Sequence, residues 1–142
     1  MSTGLDAAYR AIKTRAEAQW PAIEPGVPMA FQNAGFQRDP SGAAWILLRV
    51  DWSGGEQASI GAPLQRLVRR YGQIWLDCFA PIGAGDEAPL KLATEAALIF
   101  ECQEFDGVVC EAMAPGAGAS DSDDGLYFGE SVNIPFYYDE ER

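Results

Sequence analysis

Leu5, Ala8, Tyr9, Ile12, Ala16 and Trp20 recur at three- and four-residue intervals, so residues 4–19 are predicted to form an amphipathic helix. Thr3 followed by Asp6 is a loose capping box, with Asp in place of the usual Glu, and Pro21 is expected to end the helix. Three prolines and a glycine over residues 21–28 predict an extended connector into a short strand at Met29–Gln32. From Ala44 to Trp52 the pattern changes to a period of two. Ile46, Leu48, Val50 and Trp52 share one face, while Trp45, Leu47, Arg49 and Asp51 share the other and turn polar towards the end. Ser53-Gly54-Gly55 reads as a turn, followed by a short strand at Glu56–Gly61.

Leu67–Ala80 alternates over a longer run, and its basic start suggests one arm of a long hairpin reaching beyond the sheet. Pro81–Gly85 breaks it. Asp86 is placed to cap a second helix, Pro89 is tolerable in a first turn, and Leu92, Ala93, Ala96, Ile99 and Phe100 face one way on a helix predicted to end near Gln103, with Gly107 just past it. Val108–Met113 is a strand, Ala114–Asp124 a loop of small and acidic residues, and Leu126–Tyr138 a last strand. Pro135 donates no ladder hydrogen bond and is expected at an edge or a bulge, and the tail after Tyr138 is expected to be solvated. The order predicts a single α+β domain over residues 1–142, a mainly antiparallel sheet with two helices packed on one face. Such a sheet has its other face and its edges in need of cover, and a second copy of the chain is the cheapest cover.

Composition narrows the chemistry. There is no histidine, which removes the commonest general base and zinc ligand and every catalytic triad built on imidazole. Residues 1–71 hold eight Lys/Arg against six Asp/Glu, whereas residues 72–142 hold two against fifteen. A net charge of -11 argues against nucleic-acid binding. The dipolar split suits oriented contacts between polypeptides, and solubility alone also accounts for it. No apolar run is long enough to span a membrane, and Met1–Asp6 lacks the basic-then-apolar order of a secretory signal. Cys78, Cys102 and Cys110 are therefore expected to be reduced, mostly buried thiols of a cytoplasmic protein.

Three motifs fail on physical grounds. Gly83-Ala84-Gly85-Asp86-Glu87-Ala88 matches a dinucleotide-binding glycine pattern, but two carboxylates stand where a pyrophosphate would lie, so it reads as a turn and a cap. Asp121, Asp123 and Asp124 before Gly125 resemble the start of a calcium loop, yet the twelfth position is Val132, not a bidentate Glu. Ser53 and Ser59 match no nucleophile elbow. No cofactor, metal or catalytic residue is expected. Arg66, Arg69 and Arg70 form one basic cluster, expected to meet the acidic half of a neighbouring subunit, and Tyr127 and Tyr137 are candidate apolar anchors of an interface.

The chain resembles the tail terminator proteins of long-tailed phages, prophages and gene transfer agents. The likeness runs through Trp20-Pro21, Trp45-Ile-Leu-Leu-Arg-Val and Ala58-Ser-Ile-Gly61, then through Tyr71-Gly-Gln-Ile-Trp-Leu-Asp-Cys-Phe-Ala-Pro81 and Gly83-Ala-Gly85. It closes with Asp124-Gly-Leu-Tyr and Val132-Asn-Ile-Pro-Phe-Tyr-Tyr-Asp139. The resemblance implies a helix-flanked sheet, a homo-oligomer in the form of a hexameric ring, and partners in the tail tube protein and a head-completion protein. It implies a structural role without catalysis: the ring caps the tube, stops its polymerisation and docks to the head. The chain would reside in the host cytoplasm during assembly and then in the virion tail. A head-completion or head–tail joining protein and an acidic immunity or inhibitor protein are the alternatives.

Overall fold

Ala8, Ile12, Ala16 and Trp20 form the buried stripe of a helix, α1 (Leu5–Ile23), in a computed structural model that describes residues 4–32, 43–57, 67–81, 83, 85, 87–115, 120–121 and 127–141. The helix runs through Pro21 instead of stopping there. A proline this close to the C-terminus removes a single intrahelical hydrogen bond, and the Glu24 amide closes the last turn by donating to the Trp20 carbonyl at 3.0 Å. The Trp20 indole N–H donates to the Val27 carbonyl at 2.7 Å and fixes the exit of the chain. Gly4 is the N-cap with no side-chain bond, Asp6 sits in the first turn beside Arg10 at 3.4 Å, and Thr3 lies outside the described residues.

The strands follow as β1 (Met29–Phe31), β2 (Trp45–Gln57) and β3 (Leu67–Pro81), and after helix α2 (Ala88–Ala97) as β4 (Glu104–Phe105), β5 (Val108–Cys110), β6 (Ala114–Pro115), β7 (Ser120–Asp121) and β8 (Tyr127–Glu141). Their order across the sheet is β1-β2-β3-β8-β5-β4, with β6 and β7 also paired to β8. All pairings are antiparallel except that of β1 with β2. The architecture is α+β. Both helices pack on one face, because their buried residues share one cluster with Ile46, Leu48, Val50, Ile74, Leu76, Val132, Ile134 and Phe136 of the three long strands. Each fully buried Leu, Ile or Phe of that layer contributes about 1.5–3 kcal/mol relative to exposure. Among the described residues, no helix is long and apolar enough to cross a membrane.

Ser53-Gly54-Gly55 does not turn the chain. Strand β2 continues across it, and the register with β3 slips between Trp52 and Gly54, a bulge that Gly54 permits at φ 136°. Gly55 then lets the strands approach, since a Cβ there would lie 3.0 Å from the Arg69 carbonyl oxygen. Residues 139–141 are not a solvated tail either. Asp139, Glu140 and Glu141 extend β8 alongside Arg69, Val68 and Leu67, and Glu140 is buried.

Pro135 stands inside a strand paired on both sides, yet it breaks no ladder. Its carbonyl accepts from the Glu111 amide at 2.8 Å, so its nitrogen faces the same side. There the neighbouring strand is interrupted, between β5 ending at Cys110 and β6 starting at Ala114. A missing donor is harmless at such a gap. Helix α2 stops at Ala97 and turns carry the chain on to Cys102, with Ile99 and Phe100 still buried. Glu87 is its N-cap and Pro89 falls in the first turn, while Asp86 lies outside the described residues. Gly107 is not a helix stop. With Asp106 it forms the two left-handed corners of the β4–β5 hairpin, at φ 47° and 85°, as an Asp-Gly turn between antiparallel strands should.

Candidate interaction face

The side chains of β2, β3 and β8 that point away from the helices form rows, because the register sets them side by side. Trp45, Phe79 and Gly129 make the first row, Leu47, Asp77 and Ser131 the second, and Arg49, Trp75 and Asn133 the third. Beyond the bulge, Gly54, Tyr71 and Tyr137 are followed by Glu56, Arg69 and Asp139. No described helix lies over these rows.

The Trp45 and Phe79 rings stack at 4.5 Å and 17°. The Phe79 ring reaches over Gly129, where a Cβ would come within 2.8 Å of it. At the centre, Arg49 donates to Asp77 through Nε at 2.7 Å and Nη2 at 3.4 Å, and the Ser131 hydroxyl donates to the same carboxylate at 2.6 Å. The Arg49 guanidinium lies 4.8 Å from the Trp75 ring centroid, so the aromatic holds the cation from one side and the carboxylate from another. The hydrogen bond to Asp77 raises Arg49 above its ordinary value, burial opposes this, and the charges of Asp77 and Asp51 add to the rise. The Trp75 indole N–H is buried without an acceptor among the described residues.

A second cluster occupies the far end of the sheet. Arg69 makes a two-pronged pair with Asp139 at 2.8 and 3.1 Å, and its guanidinium sits 4.2 Å from the Tyr137 ring centroid. The Tyr71 hydroxyl donates to Glu56 at 2.6 Å, which raises Tyr71, and its ring lies 6.3 Å from that of Tyr137. The Arg69 hydrogen bond in turn lowers Asp139.

Of the residues singled out in the sequence, Arg69 and Tyr137 meet on this face. Arg70 does not join them. Adjacent strand residues point to opposite faces, and Arg70 bonds Glu140 on the other side of the sheet at 3.2 Å. The acidic partner expected from a neighbouring subunit is supplied, for both arginines, by the end of their own chain. Arg66 lies outside the described residues, and Tyr127 opens β8 opposite Pro81, with its side chain outside them too. The Arg49–Asp77–Ser131 network escaped sequence reasoning. Its trace was there in Arg49 and Asp77 at matching outward positions of two alternating strands, but their alignment depends on a hairpin register that the sequence does not print.

Among the described residues no group of three or more His, Cys, Asp or Glu side chains is placed to hold a metal ion. Gly83 and Gly85 both adopt left-handed backbone, at φ 94° and 104°, in keeping with a tight turn before α2.

No protein-family profile and no curated protein matches the chain. Among solved structures, one chain superposes with a TM-score of 0.62 at 20% identity, over 99% of this chain and 97% of that one, and its designation states no activity or partner. The likeness is one of fold. The arrangement of two helices on one face of a long-stranded sheet therefore recurs elsewhere.

Proposed function

We propose that this chain is a structural assembly subunit that acts as a tail terminator: copies close into a hexameric ring, the ring caps a tail tube, and binding there blocks further tube growth. The observation that carries this reading is the sheet face over which no described helix lies. Trp45, Trp75, Phe79, Tyr71 and Tyr137 lie half-buried in rows across three strands, and aromatic side chains of this kind are enriched in interfaces. The charged groups between them are already paired within the chain, so covering the face strands no lone charge. Ring closure requires heterologous contacts, with one surface of each subunit meeting a different surface of the next. The sequence resemblance to tail terminators supplies the identity of the tube and of the head as partners.

Light scattering of the chain alone and mixed with its tube subunit tests the reading, together with electron microscopy of tails assembled without it. A ring in either sample, and overlong tails in its absence, are expected. Tyr137→Ser should weaken ring formation while leaving the far-UV circular dichroism intact. A protein that stays monomeric with and without tube, and tails of normal length without it, would refute the proposal. Capture of a basic partner by the monomer would point to the immunity or inhibitor reading, and a ring that binds only at the head vertex to head completion.

A further inference from the structure

Two of the three free cysteines lie on neighbouring backbone where the chain leaves α2. Cys78 is apart from them, enclosed in the core on the inner face of β3. The ladder of β4 with β5 continues past its strand ends: the Cys110 amide donates to the Gln103 carbonyl at 2.9 Å, and the Cys102 amide donates to the Glu111 carbonyl at 3.2 Å. Cys102 is thus one step from Cys110 across an antiparallel ladder. With strands about 4.7–4.9 Å apart and one residue's rise of about 3.3 Å between the two cysteines, their Cα atoms fall roughly 6 Å apart, within the about 4.4–6.8 Å that a disulfide bridges. Regular alternation would turn the two side chains to opposite faces, but it does not govern Cys102, which precedes β4 in a turn and sits in left-handed backbone at φ 57°, a conformation unusual for a residue with a Cβ. Burial pushes the Cys110 thiol up to about 12, Arg15 offsets this, and a charge on Cys102 adds to it. Cys102 is exposed and Cys110 is buried.

We propose that Cys102 and Cys110 form a redox modification site that closes into an intrachain disulfide by exchange with a small-molecule disulfide. With oxidised glutathione as the probe, the exposed Cys102 thiolate attacks one glutathione sulfur. A mixed disulfide forms on Cys102 and one glutathione thiolate leaves. Cys110 then gives up its proton and attacks the Cys102 sulfur, expelling the second glutathione. Two protein thiols are oxidised, one glutathione disulfide is reduced, and the two protons end on the two glutathione thiols. Cys102 is the entry point because it is accessible, and the buried Cys110 is the slow resolving partner. The bond ties the turn that trails α2 to β5, and so to the edge of the central strand β8.

The test is non-reducing intact mass and peptide mapping of the full chain after incubation with oxidised glutathione across a pH series. Loss of two hydrogens, with residues 102 and 110 in one linked peptide, is expected. The rate at which the bridge closes should rise with pH into the alkaline range, because Cys110 has to give up its proton before it attacks. In Cys110→Ala the reaction should stop at a glutathione adduct on Cys102, and Cys102→Ser, an exposed change that leaves the fold intact, should give neither adduct nor bridge at this site. The proposal is overturned if the unmodified chain stops at the Cys102 adduct, if it cross-links between chains, or if it does not react at Cys102.

Discussion

Replacing Asp77 by Asn keeps the shape of the residue and removes its charge, and so isolates what the carboxylate contributes to the centre of the sheet. Asp77 is nearly enclosed, its side chain 12% exposed, against 35% for Arg49. It accepts at 2.7 Å and 3.4 Å from Arg49 and at 2.6 Å from Ser131. Hydrogen bonds to charged groups contribute about 1.5–3 kcal/mol, and removing one partner of a fully buried pair costs about 3–5 kcal/mol. Arg49 keeps water on one side and retains Asp51 at 3.5 Å, so the buried-pair cost is discounted to the range of the charged hydrogen bonds. A loss of about 2–3 kcal/mol is expected. At this chain length about 4 °C of melting temperature accompanies each kcal/mol, so Asp77→Asn should melt about 8–12 °C lower. Urea unfolding gives the same quantity independently of temperature, through a lower midpoint at unchanged slope. A double-mutant cycle with Arg49→Met assigns the loss to the pair, and a coupling above about 1 kcal/mol is expected. A loss below about 0.5 kcal/mol, or a coupling indistinguishable from zero, would mean that the pair behaves as a surface ion pair and that the sheet centre is wet.

Gly72→Ala tests the opposite face of the same strands. A Cβ at Gly72 would lie 2.6 Å from Phe136 Cζ and 2.8 Å from the Asp51 carbonyl oxygen, so overpacking should cost about 1–3 kcal/mol in urea unfolding, and a neutral result would show that the Phe136 ring moves freely. Glu95 on α2 is raised above the ordinary carboxyl value of 4.5 by burial first, then by the carboxyl of Glu24 at the end of α1, with Lys91 opposing. The folded state therefore binds this proton more tightly than the unfolded state, and stability falls as pH climbs from 4.5 through the raised value. Glu95→Gln should raise the melting temperature at neutral and alkaline pH and match the parent chain in acid; equal melting temperatures at every pH would remove Glu95 from the linkage.

The elements legible in the sequence were those whose burial has a simple period. The stripe of α1 and the alternating residues of β2, β3 and β8 were readable because one face of each meets the core. The strand ends were not, because they depend on pairing. Two glycines after Trp52 read as a turn to any local rule, and only the partner β3 converts them into a bulge. Asp139 and Glu140 look solvated until Arg69 and Arg70 are aligned beside them. The short strands β6 and β7 have almost no periodicity of their own and exist because β8 offers them an edge. The Asp106-Gly107 hairpin, by contrast, carries a local signal, since Asp-Gly is the dipeptide that a two-residue hairpin turn prefers. For the interaction face the same division holds: Arg69 and Tyr137 were visible as residue types, whereas Asp77 and Ser131 become a site only through register.

The segregated charge of the chain acquires a different meaning once β3 and β8 are seen as neighbours. A basic half and an acidic half that are separate in sequence suggest complementary surfaces on different molecules. Antiparallel pairing brings the basic start of β3 against the acidic end of β8, so the attraction is spent inside one subunit, at 2.8 Å for Arg69–Asp139 and 3.2 Å for Arg70–Glu140. Reversing the charge of these arginines would set like charges side by side across a ladder and disturb the end of the sheet before any partner is involved. Such a variant reports on folding. A contact between subunits has to be probed through groups that the fold leaves unspent, and on this face those are the aromatic rings around the satisfied ion pairs, with Tyr137 foremost because it caps Arg69 without sharing its charge.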